Sequence, residues 1–361
     1  MRILFLTQTA SYGPASRYRV YQYLDYLKKK GVNCKVSPAI PNRFYTLYNK
    51  LSNPWLKIPF FILVIFKRIL DLFRIHDFDI VFIQREILPQ GYPVFEGLIH
   101  LFGKTLIFDF DDAIFLIPPK RSNILYLFRC RRSIERIIGL SRLVIAGNSY
   151  LGEYALKFNP RTEVIPTCID TDKFCVQNKQ YVKSDKFIVG WIGSPHTLFY
   201  LEPIKEVLRQ ISSRYNIRLL LIGAEDFRIE GVEVICEKWT IETELEQLSK
   251  FDIGLPPLLD DEWSRGKCGL KALQYMATGV PVVCSDSGVY RQMITDGLNG
   301  FLAKNKEEWT QKLSRLLQDE KLRKQLSGAA RKTVEDKYSL KLNAEKLYTH
   351  IKTVQDAGNN K

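Results

Sequence analysis

The 361-residue sequence contains no Cys-x-x-Cys pair. Its seven cysteines (Cys34, Cys130, Cys168, Cys175, Cys236, Cys268 and Cys284) are odd in number and irregularly spaced, and none has a histidine partner at metal spacing. This excludes a zinc ribbon or a disulfide framework and points to reduced, mostly buried thiols and to no bound metal. A bilayer-spanning helix needs about 20 apolar residues. The longest apolar run, Ile58 to Phe66, is nine residues before Lys67 and Arg68 interrupt it. The opening MRILFLTQ is too short for a secretory leader and lacks a cleavage site, so a cytoplasmic chain is expected. No G-x-x-x-x-G-K-[ST] loop occurs, and no G-x-G-x-x-G follows the first strand, which argues against P-loop and dinucleotide-dehydrogenase chemistry. Acidic residues are in deficit: 39 Asp and Glu against 53 Lys and Arg leave a net charge of +14. The imbalance sits in residues 1–170, which hold 24 basic and 13 acidic residues, so an anionic partner is indicated for that half. No RNA- or DNA-binding motif accompanies it, and no nucleic-acid partner is expected.

What is present is a repeating α/β pattern. RILFLTQ reads as a buried strand, TASYGPASRYR as a loop, VYQYLDYLKKKG as a helix and NCKVSPAI as a second strand. Strand-like runs follow at 78–84, 105–112, 142–149 and 162–169. After a linker near 170–185 the pattern restarts with KFIVGWIG, then runs at 217–224, 232–239, 251–258 and 280–287. The prediction is two Rossmann-like, doubly wound parallel-sheet domains facing a cleft, 1–172 and 173–338, with a helix at about 340–355 returning to the first.

The chemistry concentrates in WSRGKCGLKALQYMATGVPVV, Trp263 to Val283. Arg265, Lys267 and Lys271 crowd the start of a helix together with Gly266 and Gly269. A helix start carries unpaired N–H groups and partial positive charge, and bare glycine backbone lets an anion approach. A solvated basic first turn is the plain alternative. Added to the glycines and the strand-end position, the cations point to a bound phosphate.

GLKALQYMATGVPVVCSDSG…ITDGLNGFL, SRLVIAGNSYLGEYAL, VIPTCIDTDKF and LLQDEKLRKQLSGAARKTVEDKYS together resemble family 4 glycosyltransferases of the GT-B fold. The resemblance implies a donor nucleotide sugar on the second domain, an acceptor on the first, and metal-independent transfer with retention. The sequence departs from the family at two glutamates, whose places fall on Gly266 and Gln274. The Arg and Lys that usually follow the second domain's first strand are also missing. Arg265, Lys267 and Lys271 are therefore expected to supply the diphosphate charge, with the N–H groups of Gly269 and Leu270, and Gln274 to reach the ribose.

Other strand ends extend the candidate set. Gly193, Ser194, His196 and Thr197 end the 186–193 strand, and Trp239 ends the 232–239 run; all join the donor-binding group. IFDFDDAIF places Asp111 and Asp112 where they could orient or deprotonate an acceptor hydroxyl, with structural pairing to nearby arginines as the alternative. Gly13, Arg17, Arg19, Gln84 and Arg85 form the acceptor-binding group. Segments 55–76 and 120–137 mix large apolar residues with cations and suit an anionic membrane face, or a buried helix with a basic edge. The expected function is therefore a glycosyltransferase acting on a glycan or lipid-linked acceptor in polysaccharide or glycolipid synthesis, with a nucleotide sugar as co-substrate and no cofactor. An epimerase or phosphorylase of the same fold, or a non-catalytic nucleotide-sugar or nucleic-acid binder, is the alternative.

Overall fold

The computed structural model describes residues 1–51, 53–88, 91–117, 130, 132–176 and 186–359. The chain forms two compact units. The first comprises Met1–Thr167, Gly266–Cys268 and the C-terminal helix Leu340–Asn359; the second comprises Cys168–Arg265 and Gly269–Ser339.

The first unit is built on six parallel strands: β1 (Arg2–Thr9), β2 (Asn33–Ile40), β3 (Ile80–Gln84), β4 (Thr105–Phe110), β5 (Leu143–Ala146) and β6 (Thr162–Val164). Their order is β2-β1-β3-β4-β5-β6. β3 and β5 are buried throughout, as continuous apolar strands covered on both faces should be. The strand order reverses between β1 and β3, so the carboxyl ends of these two strands flank a topological switch point. The segment read as a loop after β1 contains a helix, Pro14–Arg19. Pro14 at its first turn gives up an N–H that has no helical partner anyway.

In the second unit, β7 (Phe187–Ile192), β8 (Ile217–Ile222), β9 (Val234–Glu237) and β10 (Ile253–Gly254) are parallel in the order β10-β7-β8-β9. β11 (Val283–Ser285) pairs with β12 (Phe301–Ala303), and a bridge from Gly254 to Val282 continues the sheet. The switch point lies between β7 and β10. Trp191, Leu219, Leu221, Ile253, Trp309 and Leu313 are fully buried or nearly so and form the core.

The expected linker at 170–185 is only partly described, since 177–185 lie outside the described residues. What is described is anchored in the second unit. Ile169 N–H donates to Tyr338 O at 2.8 Å. Arg331 donates to the carbonyls of Thr171, Phe174 and Ala277. The chain therefore changes units at Thr167, five residues before the expected boundary, because this guanidinium holds the following turn to the second unit.

Candidate functional site

In the second unit, Gly193, Ser194, His196, Thr197 and Lys271 collect at the carboxyl end of β7. Gly193 leaves that strand beside the helix Leu270–Ala277; a Cβ on it would meet the Trp191 ring at 2.6 Å and the Lys271 Cε at 2.8 Å. Lys271 thus runs along bare backbone, and its ammonium lies 5.2 Å from the centre of the buried Trp191 ring. The helix opens on Gly269 in the left-handed conformation (φ 70°), with no side-chain cap. Leu270 is its first residue. A Cβ on Gly269 would meet Met293 Sδ at 2.6 Å, so the turn requires glycine for both shape and space. Arg265 is half exposed and lies 3.9 Å from Asp260.

Ser194 and His196 are exposed at the same strand end. Ser194 does not cap the following 3-10 turn. Its carbonyl instead accepts from the Thr197 hydroxyl at 2.9 Å. Trp239 Nε1 and Gln274 Nε2 both donate to Glu244 Oε1 at 3.0 Å. Glu244 is 2% exposed. The sequence reading missed this buried carboxylate. Its place at the start of a helical turn (Glu244–Ser249) resembled any acidic first turn, and only the fold brings it to Gln274.

The first unit gathers a second cluster at the ends of β3 and β4. Arg85 has a left-handed backbone (φ 61°), uncommon for a residue with a side chain. Its N–H donates to Asp109 O at 2.7 Å. Its guanidinium bonds Asp111 Oδ1 at 2.7 Å and Asp112 Oδ2 at 2.6 Å. Asp112 Oδ1 also accepts from Lys267 Nζ at 2.8 Å, and the Lys267 carbonyl accepts from Asn148 at 2.9 Å. Burial alone would raise the Asp112 pKa, but Lys267 and Arg85 outweigh it and hold the carboxyl below its usual range. Burial, and then Asp111, push the Cys268 thiol well above the ordinary value, so it stays protonated and donates to Asp111 O at 3.1 Å.

Gly266 lies against Ala113 in this unit: a Cβ would fall 2.7 Å from the Ala113 nitrogen. A side chain at this position would require the Ala113 backbone to shift. Lys267 pairs with Asp112 within the first unit. One expectation is corrected here. Arg19 cannot meet an acceptor: it is 2% exposed, bonds Asp109 through Nε and Nη2, and donates from Nη1 to Ile165 O at 2.7 Å.

Gly13 is buried in the turn after β1, where a Cβ would collide with the Thr9 hydroxyl. Arg17 is half-buried with its guanidinium over Tyr18. Gln84 is buried and accepts from Ser16 Oγ at 3.1 Å.

Residues 187–319 match the family model for glycosyl transferases group 1. Sucrose synthase of Melioribacter roseus is 38% identical over 90 residues, which is 23% of this chain and 11% of that protein's length. Solved structures resemble the whole chain. HepE from Anabaena, solved with UDP and glucose, has a TM-score of 0.72 at 15% identity, covering 98% of this chain and 100% of its own. Sucrose-phosphate synthase from Thermosynechococcus elongatus has a TM-score of 0.70 at 14% identity, covering 99% and 100%. The lipopolysaccharide outer core galactosyltransferase WaaB has 0.63 at 16%, covering 98% and 99%. The second unit, from β7 to residue 319, thus matches the model for glycosyl transferases group 1, in a chain whose two-sheet α/β fold, GT-B, is shared with these solved structures.

Proposed function

We propose that the protein transfers a glycosyl group, with retention and without a metal, from a nucleoside-diphosphate sugar bound on the second unit to a glycan or lipid-linked acceptor bound on the first. The observation that carries the reading is the end of β7, where side-chain-free backbone at Gly193 lies beside Lys271 and an uncapped helix start. As the bond from the anomeric carbon to the diphosphate breaks, the leaving group takes the electron pair, the acceptor oxygen bonds the anomeric carbon, and the hydroxyl proton passes to the departing phosphate. Lys271, Arg265 and the N–H groups of the first helical turn stabilise that charge. HepE has also been solved with UDP-glucose, which supports a uridine nucleotide here.

On the first unit, Asp112 is held ionised and is a weak base for that reason. Its role is to orient an acceptor hydroxyl, with Asp111 and Arg85 fixing its position. Trp239 and Gln274, joined on Glu244, form the ribose-facing wall. The site of action is the cytoplasmic face of the membrane, in cell-surface polysaccharide or glycolipid synthesis.

A thermal-shift series with UDP-glucose, GDP-mannose and UDP alone tests the donor. One nucleotide sugar should raise the melting temperature of the wild type, and Lys271→Ala should abolish the shift. A shift that persists in Lys271→Ala and in Arg265→Ala overturns the phosphate assignment.

A further inference from the structure

The helix Ile58–Arg74 carries its polarity reversed. Val64, Arg68, Asp71 and Ile75 are buried, with Ile75 in the turn that follows, and the helix packs on β2. Ile62, Phe66, Ile69 and Phe73 are exposed. Both sets are spaced four, three and four residues apart, and they are offset by two positions. At 3.6 residues per turn that offset places them on opposite sides of the helix. A surface helix of a soluble protein turns its apolar stripe inward and its charges outward; here the buried side holds an ion pair and the solvent side holds four large apolar residues. Phe73 is 77% exposed, and Trp55, in the turn that leads into the helix, is 73% exposed.

The orientation is fixed from beneath. Arg68 donates to Ser37 O, Thr7 O and Asp71 Oδ2, each at 2.9 Å. Ser37 Oγ donates to Asp71 Oδ2 at 2.8 Å. Rotating the helix to hide its phenylalanines would break this buried network and leave a charge unpaired.

Charge identifies the occupant. Between Asp25 and Asp71 the sequence has no acidic residue and nine Lys and Arg. Arg43 and Lys50, on the helix Asn42–Lys50 that precedes the apolar stripe, and Arg74 at its end are exposed. A second copy of the chain would bring the same cations against these. A surface with an apolar interior and anionic headgroups satisfies both features. We infer that Trp55 and the outer face of the helix Ile58–Arg74 dock the first unit on an anionic lipid bilayer, with the stripe in the acyl boundary and the cations at headgroup level. This inference is independent of the donor chemistry.

The test is sedimentation of the full chain with vesicles of phosphatidylcholine alone or with about a third phosphatidylglycerol, a composition that supplies the negative surface charge. The wild type should bind the anionic vesicles at least about tenfold more strongly. The preference should fall as salt rises from about 0.1 M to 1 M and the Debye length shrinks from about 10 Å to 3 Å. Phe66→Gln/Phe73→Gln should lower partitioning at least about tenfold, and Arg43→Ala/Lys50→Ala several-fold. All four positions are exposed, so the variants should keep the wild-type melting temperature. Equal binding to both vesicle types, no binding, or unchanged partitioning of the phenylalanine variant overturns the inference. So does a wild-type dimer that the phenylalanine variant dissociates while its vesicle binding is retained.

Discussion

Replacing Gly266 by alanine tests why the place of a family glutamate holds no side chain. An added methyl group falls 2.6 Å from the Ala113 Cβ, 2.7 Å from its nitrogen and 3.0 Å from its Cα. Two of these atoms are backbone, directly after the Asp111–Asp112 pair that Arg85 and Lys267 hold in place, so the neighbour cannot swing aside as a flexible side chain would. Overpacking of this kind costs about 1–3 kcal/mol. At about 2–4 °C per kcal/mol for a unit of this size, Gly266→Ala should melt roughly 2–12 °C lower. Gly266→Glu adds the same methylene and a carboxylate beside Asp112, so it should lose at least as much and gain no turnover. Gly328→Ala is the control: it lies in the helix Glu320–Lys337 with no atom within 4 Å of the new methyl group, and should be neutral or stabilising by up to about 1 kcal/mol. Scanning calorimetry and donor turnover, measured on all three variants, decide the matter. A Gly266→Ala protein that melts with the wild type, or a Gly266→Glu protein with raised turnover, refutes the reasoning.

Lys271→Ala and Arg265→Ala should each lower turnover by about one to three orders of magnitude, whereas Lys267→Ala should chiefly lower the melting temperature by leaving Asp112 with one partner fewer. Gln274→Glu places a second carboxylate beside buried Glu244, so donor affinity in a titration should weaken as pH rises and the shared proton is lost. Glu96 is buried and accepts from Ile87 N–H at 2.8 Å; burial lifts its pKa to about 7 from 4.5. The folded state therefore holds this proton more tightly than the unfolded one, and stability falls as pH rises from 4.5 to 7. Glu96→Gln should flatten that decline and gain up to about 3 kcal/mol at pH 8, read by denaturant titration. Turnover that survives EDTA is the expected result for a reaction whose leaving group is stabilised by protein cations.

The strands were legible because parallel strands buried on both faces leave continuous apolar runs: β2 and β8 begin where the runs at Asn33 and Ile217 begin. β12 passed unnoticed, since three residues, Phe301–Ala303, are too short to show a period. At the site, the glycines and cations of 265–271 were visible, but their partners were not. Asp112 is 155 residues from Lys267, and Glu244 is 30 from Gln274, distances over which no local pattern operates. Arg19 and Arg68 show the same limit: a buried arginine bonded to carbonyls and a carboxylate looks, in sequence, like any surface cation. The basic stretch 120–137 falls largely outside the described residues, so only 55–76 bears on the membrane expectation. Among the described residues no helix is long and apolar enough to cross a membrane.

Gly190 of β7 and Gly254 of β10 lie directly opposite each other. A Cβ on Gly190 would enter the Phe251 ring, and one on Gly254 would meet the Tyr275 ring at 2.5 Å. Beyond this pair, the Ile192 N–H is taken not by a neighbouring strand but by the Tyr275 hydroxyl, at 2.9 Å. The phenol therefore ends the ladder on this side of β7 as a zip-stop would, without leaving a donor unmet. One aromatic side chain thus fills the space beside Gly254 and meets the strand's last donor, so Tyr275→Phe should leave that buried N–H unmet and cost about 1–3 kcal/mol.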